Sequence, residues 1–199
     1  MRARVIQHYK LTRKLGQGGM AEVYKAVDTD TQQHVALKFL LVPHASDPTA
    51  RKRFLREAKA GMELDHPRIV KVFAIGESKG QPFIAMEYVS GKTLGEILER
   101  GRLNISQILD IGLQVADALI VAHKQGIVHR DINPRNIMIC GDEAKVMDFG
   151  LAKVVDTTTI TKEHTILGTF HYMSPEQAIG DTIDGRSDIF SLGVVLYQM

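Results

Sequence analysis

The sequence predicts an α+β chain in two parts, strand-rich over residues 1–89 and helix-rich over residues 90–199. Between residues 9 and 42 apolar and β-branched residues alternate (Val23, Tyr24, Val27, then Val35, Leu37, Phe39), the pattern of strands separated by turns. After Gly91 the texture changes, and Ile108, Ile111, Val115, Ala118, Leu119 and Ala122 form a stripe of helical period within residues 105–125. The 199 residues, 44% apolar and 24% charged, suffice for one domain or two small lobes with apolar cores and argue against disorder. A cleft between two such parts is a natural ligand site.

The elements follow in order. The segment MRARVIQHYKLTRK is basic with no apolar stretch behind it, so it does not read as a secretory leader. Strands separated by turns fill residues 9–42. Asp47-Pro48 then marks a helix start, with a capping carboxylate and proline at the first helical position. This helix runs to about Leu64 with Phe54, Glu57, Ala58 and Gly61 on one side, while Arg51, Lys52, Arg56 and Lys59 give it a basic outer surface. His66-Pro67 ends it. Residues 70–75 and 82–89 read as two more strands joined by the turn Ser78-Lys79-Gly80, and residues 93–100 as a short helix. A net charge of +2 is too small to predict binding to nucleic acid or a membrane surface. The longest candidate membrane span, residues 189–199, is interrupted by Ser191 and Gln198 and falls short of the ~20 residues needed. Cys140, the single cysteine, excludes an internal disulfide and is expected as a small buried hydrophobe in a reducing, cytoplasmic setting.

Several residues carry chemistry. Gly16-Gln17-Gly18-Gly19-Met20-Ala21 sits between two strands, where glycines let backbone N–H groups approach a polyphosphate, although a tight hairpin needs glycines too. No helix follows it, which excludes the dinucleotide-binding reading. Lys38 lies inside the apolar strand Val35-Ala36-Leu37-Lys38. A lone strand lysine reaches for water, but Glu57 follows nineteen residues later on the inward side of its helix and supplies a counter-charge. His129-Arg130-Asp131 precedes Asn136 by five residues counted from the aspartate, and Asp148-Phe149-Gly150 begins twelve residues after Asn136. Phosphoryl transfer to a hydroxyl needs a carboxylate near the hydroxyl proton and oxygen ligands for Mg²⁺. Asp131 answers the first need, Asn136 and Asp148 the second, although each singly also suits a turn.

In this order and spacing, the glycine loop, Val-Ala-Leu-Lys, the helical Glu57, His-Arg-Asp with Asn136, and Asp-Phe-Gly resemble the signature set of protein kinases. Gly168-Thr169, Ser174-Pro175-Glu176 and the span Asp188 to Gly193 resemble later parts of that family, and the wording GGMAEVYKA and MSPEQA is most similar to bacterial Ser/Thr kinases. The resemblance covers essentially the whole chain. It implies a bilobal fold with a small β-rich N-lobe and a mainly helical C-lobe, incomplete at the C-terminus, and ATP and Mg²⁺ as cofactors. Lys38 is then expected on the α- and β-phosphates, Glu57 beside it, Asp131 as catalytic base, and Asn136 and Asp148 on the metal. Leu15, Gly16, Gln17, Gly18 and Gly19 would cover the nucleotide; Val23, Ala36 and Met138 would sandwich the adenine; Met86 would be the gatekeeper and Glu87 to Val89 the hinge. Residues 168–172 resemble the substrate-docking loop of Ser/Thr kinases, implying protein substrates with Ser or Thr acceptors. Arg130 implies activation by loop phosphorylation, with Thr161 and Thr165 as acceptor candidates, although both also suit a solvated loop. The resemblance further admits a homodimer for trans-autophosphorylation, which no residue demands.

Three departures stand out. Ser/Thr kinases usually carry Lys where this chain has Asn133, and a neutral amide does not offset charge on a transferring phosphoryl group. Arg135, four residues after Asp131, is where many receptor Tyr kinases keep an arginine, and is expected to supply that charge. Gly61, one turn after Glu57, replaces the usual larger apolar residue and suggests a helix that swings easily. Finally, residues 187–199 resemble the buried central helix of the large lobe, without the helices that cover it or the usual arginine partner of Glu176, so a truncated product or partial sequence is expected. The leading expectation is a protein Ser/Thr kinase. A non-catalytic pseudokinase acting through partner contact is the alternative, disfavoured by the presence of Lys38, Asp131 and Asp148. A small-molecule kinase is disfavoured by the Gly168-Thr169 to Ser174-Pro175-Glu176 segment.

Overall fold

The computed structural model describes residues 4–149 and 170–199. The chain divides into two compact units, one of Met1–Glu63 with Lys71–Tyr88, the other of Leu64–Val70 with Val89–Met199.

The first unit contains strands β1 (Val5–Ile6), β2 (Tyr9–Gln17), β3 (Ala21–Asp28) and β4 (His34–Leu40), helices α1 (Val42–Ala45) and α2 (Pro48–Glu63), and strands β5 (Val72–Ser78) and β6 (Gln81–Glu87). The strands form one antiparallel sheet in the order β1-β2-β3-β4-β6-β5. Alternation along β4 sends Val35, Leu37 and Phe39 into a core with Tyr9, Ala26, Phe83 and Ala85. There the Tyr9 and Phe83 rings meet edge-on with centroids 6.0 Å apart. Lys79 (φ 51°) and Gly80 (φ 78°) turn β5 into β6 with two left-handed residues, the twist that a two-residue hairpin favours. Helix α2 starts where the sequence places it: Asp47 Oδ1 accepts from the Thr49 N–H at 2.9 Å. It buries Ala50, Phe54, Glu57, Ala58 and Gly61.

Gly61 has a packing reason that the sequence reading overlooks. A Cβ there would lie 2.7 Å from Val72 Cγ2, so the glycine lets α2 rest directly on β5. Two short elements were also not anticipated. Strand β1 is only a pair of residues, held by its partners Lys10 and Tyr9, and α1 is a single turn.

The second unit contains β7 (Lys92–Thr93), α3 (Leu94–Leu98), α4 (Ile105–Lys124), β8 (Ile137–Cys140), β9 (Glu143–Val146), α5 (Pro175–Ile179) and α6 (Gly185–Gln198). A small sheet runs β7-β8-β9. Helix α4 buries Ile111, Val115, Ala118, Leu119 and Ala122 against Ile132, Ile137, Val146, Leu192 and Val195. Helices α3, α4 and α5 each begin with a capping box, Thr93 with Glu96, Asn104 with Gln107 and Ser174 with Gln177. The bonds from the Thr93 backbone and hydroxyl hold the Glu96 carboxyl below its ordinary value.

Three expectations need correction here. Residues 64–70 belong to the second unit, not the first. Leu64 and Ile69 are buried in its core, and Val70 and Arg68 exchange backbone hydrogen bonds with Val146 at 2.8 Å. Cys140 is exposed, because it ends β8 just before the left-handed Gly141 at the hairpin turn. And among the described residues the helix long and apolar enough to cross a membrane is α4, with 20 residues, not the segment 189–199. One side of α4 forms the core of the second unit, while Ile105, Leu109, Leu113 and Ile120 on it are exposed.

Candidate active site

In the first unit, strand register gathers the nucleotide-binding candidates on one face of the sheet. Val23 pairs with Lys38, Ala36 with Met86, and Lys38 with Ile84. Cross-strand partners share a face, as do residues two apart, so Val23, Ala36, Lys38, Met86 and Ile84 lie together opposite the Val35–Leu37–Phe39 core. Val72 pairs with Met86 and is the side chain that Gly61 meets, so α2 packs on this same face. Glu57, one turn before Gly61, is buried, with 8% exposure. The sheet and helix thus put Lys38 and Glu57 on one side of the unit.

The glycine loop lies between Gln17, paired with Glu22, and Ala21, whose carbonyl accepts from Gly18 N–H at 2.8 Å. Its tip is tied to the segment before α2. Met20 O accepts from Leu41 N–H at 2.8 Å, and the His44 ring bonds Gly19 O at 3.2 Å. A Cβ at Gly16 or Gly19 would meet nothing within 4 Å, and at Gly18 only Ala21 O at 3.9 Å. The chain's own packing does not require these glycines; their effect is to leave the space over the loop open to a ligand. Leu15 is partly exposed beside it. Glu87 is held by its N–H to Lys71 O at 2.8 Å, and the chain passes from the first unit to the second between Tyr88 and Val89. Met138, expected against the adenine, lies half-buried on β8 in the second unit.

In the second unit the chemistry centres on a tightly bonded turn. The fully buried carboxylate of Asp188, in the first turn of α6, accepts from the backbone N–H of His129 at 2.8 Å and of Arg130 at 2.7 Å. The His123 ring bonds the same carboxylate at 2.7 Å. These bonds hold Arg130 at φ 68°, a left-handed conformation that costs a non-glycine residue energy, and so aim the next residue, Asp131. The Gln177 amide donates to Arg130 O at 2.9 Å. His129 is fully buried. Its Nδ1 accepts from Asp131 N–H at 3.2 Å, so its Nε2 carries the proton donated to Met147 O at 2.9 Å. Its ring also meets Phe149 edge-on at 4.7 Å. One imidazole therefore ties the Asp131 turn to the Asp148-Phe149 segment, where Asp148 is itself left-handed at φ 64°.

Asn136 and Asn133 finish the turn. Asn136 Nδ2 donates to the Asp131 carbonyl at 2.8 Å and to its carboxylate at 3.0 Å. With the nitrogen engaged, its Oδ1 accepts no hydrogen bond among the described residues and suits a hard cation. Asn133 is buried at 5% exposure. Its Oδ1 caps the 3-10 turn of residues 134–136 through Arg135 N–H at 2.9 Å, and its Nδ2 donates to Asp131 O at 2.9 Å. Its amide is spent inside the turn. Arg135 is exposed and borders a pocket of about 250 Å³ with Leu98, Glu99, Tyr172 and Gln198.

Sequence reasoning had named Asp188 only as part of a helix pattern, and had not named His123 or Gln177. Their roles arise from contacts 47 to 65 residues apart, which local spacing does not reveal. Gly150, the threonines at 157–159, Thr161, Thr165, Gly168 and Thr169 lie outside the described residues. Glu176, expected to lack its partner, accepts from Ser187 Oγ, and that bond holds its carboxyl below the ordinary value.

Comparisons with known proteins show the family. The protein kinase domain family matches residues 9–199. The serine/threonine-protein kinase PrkC of Bacillus subtilis is 43% identical over 198 residues, covering 98% of this chain and 31% of that protein. The serine/threonine-protein kinase PknB of Mycobacterium leprae is 44% identical over 198 residues, covering 96% of this chain and 32% of that protein. The chain thus spans about a third of the length of these relatives. Among solved structures, the PknI kinase domain of Mycobacterium tuberculosis superimposes with a TM-score of 0.80 at 32% identity, over 99% of this chain and 74% of that one.

Proposed function

Because the chain belongs to the protein kinase domain family, with serine/threonine-protein kinases among its relatives, we propose that it transfers the γ-phosphoryl group of ATP to Ser or Thr hydroxyls of proteins. The observation that carries this reading is the Asp131 turn. Asn136 and Asn133 bond to Asp131, and the carboxylate of Asp188 fixes the two residues before it. A carboxylate so oriented can take the proton of an attacking hydroxyl. The hydroxyl oxygen forms the new bond to the γ-phosphorus, the bond to the β-phosphate oxygen breaks, ADP leaves and Asp131 receives the proton.

Each other residue has a part within its own unit. The open space over Gly16, Gly18 and Gly19 suits the polyphosphate, and Lys38 is placed to neutralise it with Glu57 on the same side. Val23, Ala36 and Met86 offer an apolar surface beside Lys38 for the adenine. Leu15 and Gln17 flank the loop, and the backbone at Glu87 and Val89 is the hinge. The family generally uses ATP with Mg²⁺; bound Mg²⁺ offsets phosphate charge, and the Asn136 Oδ1 and Asp148 carboxylate are the donors that fit it. Arg130 carries a buried Nε with no hydrogen-bond partner among the described residues, which supports a role in receiving an activation-loop phosphate. We place this segment in the cytoplasm, where ATP is available, and assign trans-autophosphorylation to a homodimer.

Asn133 favours one second reading. Its amide is committed to the turn and supplies no charge for the transferring group, as in a pseudokinase that binds nucleotide without transfer. Intact-mass analysis of the full natural chain after incubation with Mg-ATP, beside Asp131→Asn, separates the two. Added phosphoryl groups in wild type alone support the kinase. Bound nucleotide with no added mass supports the pseudokinase.

A further inference from the structure

Resting on the kinase reading, we propose that His44 is a positioning residue for the nucleotide: it holds the tip of the glycine loop so that the Met20 N–H is presented to the polyphosphate. All the parts belong to the first unit. His44 lies on α1, the single turn between β4 and α2, and its half-buried ring bonds Gly19 O through Nε2 at 3.2 Å. A carbonyl oxygen only accepts, so this nitrogen carries the proton and the ring donates. Among the described residues the ring has no other hydrogen-bond partner and no carboxylate within ion-pair distance. The turn that carries it is well anchored. Pro43 restricts the backbone in its first turn, the His44 N–H donates to Leu41 O at 2.9 Å, and the Asp47 N–H donates to His44 O at 3.1 Å just before Asp47 caps α2.

The loop has little hold on itself. Glycines at 16, 18 and 19 give its backbone wide freedom, and a Cβ at Gly16 or Gly19 would touch nothing within 4 Å. Its tip is fixed by Gly18 N–H to Ala21 O at 2.8 Å, by Leu41 N–H to Met20 O at 2.8 Å, and by the His44 ring. The last two hold the carbonyls on either side of the Met20 α-carbon. In a trans peptide the N–H points opposite the carbonyl of the same plane, so a Gly19 carbonyl turned to His44 directs the Met20 N–H away from it. Among the described residues the N–H groups of Gly19 and Met20 donate to nothing, and two adjacent free donors suit phosphate oxygens. A tip already held in this form loses less conformational freedom when a polyphosphate arrives. Without the ring, the peptide between Gly19 and Met20 is free to turn, and its donor is lost from the ligand for part of the time.

The test is calorimetric titration of the full natural chain with Mg-AMP-PNP, Mg-ADP and adenosine, in wild type, His44→Phe and His44→Gln. Phenylalanine fills the place of the ring without a donor, and glutamine restores an N–H. His44→Phe should weaken both polyphosphate ligands by about fivefold, the scale of one hydrogen bond, and leave adenosine within about twofold. His44→Gln should recover most of the loss. Should His44→Phe not fold, His44→Ala, which suits a helix, takes its place. Hydrogen exchange adds a direct readout: Mg-AMP-PNP should slow the Met20 amide in wild type, and slow it less in the donor-free variant. Equal polyphosphate affinities in wild type and His44→Phe, or a Met20 amide that Mg-AMP-PNP does not protect, overturn the proposal and leave the kinase reading standing. A loss that extends equally to adenosine overturns it too, and makes His44 a general support of the first unit. A His44→Gln as weak as His44→Phe assigns the effect to packing of the ring and overturns the donor role. A wild type that binds none of the three ligands overturns the kinase reading, and the proposal with it.

Discussion

Replacing Asp188 by alanine removes the shared acceptor of three donors: the backbone N–H groups of His129 and Arg130 and the His123 ring. Asp188 is fully buried, so water does not replace the lost oxygens. Each buried N–H left without a partner costs about 1–3 kcal/mol, and two of them with the ring come to about 4 kcal/mol, the usual scale for breaking a buried charged network. The left-handed Arg130 loses its restraint in the same step, which releases the conformation that aims Asp131. Asp188→Asn keeps the shape but turns one acceptor into a donor that faces an N–H, for a loss of about 2 kcal/mol. At a urea slope of about 2–3 kcal/mol/M, the unfolding midpoint should fall by about 1.3–2 M in Asp188→Ala and about 0.7–1 M in Asp188→Asn. Hydrogen exchange at the His129 and Arg130 amides should quicken in both. A midpoint shift below about 0.2 M in Asp188→Asn, with those amides still protected, refutes the reasoning.

Three further outcomes are expected. Gly61→Ala gains about 1 kcal/mol of helix propensity but sets a methyl 2.7 Å from Val72 Cγ2, so thermal unfolding should show a net loss of stability of about 1–2 kcal/mol; a stabilised variant would mean that α2 rides loosely on β5. Asn133→Lys loses the cap on Arg135 N–H and the bond to Asp131 O, and should unfold about 1–3 kcal/mol more easily without a gain in phosphorylation rate; a faster enzyme would show that the missing cation outweighs the cap. Glu96 has its carboxyl held below the ordinary 4.5, first by the Thr93 backbone N–H and then by its hydroxyl. A lowered carboxyl favours the fold above the unfolded-state value and loses that advantage as pH falls through the folded one. The stability gap between wild type and Glu96→Gln should therefore be present at neutral pH and close below about pH 4.5, read by urea titration across pH; a gap independent of pH would assign it to packing.

Much of the fold and site was legible in the sequence because its signals are local. Strand alternation at Val35, Leu37 and Phe39, the Asp47-Pro48 start of α2 and the stripe along α4 each follow from the period of one element. Lys38, Glu57, Asp131, Asn136 and Asp148 stand out as candidates for a related reason, since charges and glycines at those spacings have few other uses together. Residues 64–70 went to the wrong unit because their affiliation depends on backbone bonds to Val146, far along the chain. Gly61 looked like a weakness because helix propensity is local, while its contact with Val72 is not.

The chain's own chemistry thus decides which side chains can bind phosphate, take a proton or hold a cation. Tertiary structure alone decides which of them are aimed. Asp188 reaches back 59 residues to set the backbone before Asp131, and His129 bonds 18 residues ahead to the segment that carries Asp148. It also commits the Asn133 amide to a turn and leaves Arg135 at a pocket. The physical reason is that a hydrogen bond's value depends on burial and angle, and both are properties of the folded neighbourhood, not of the residue type.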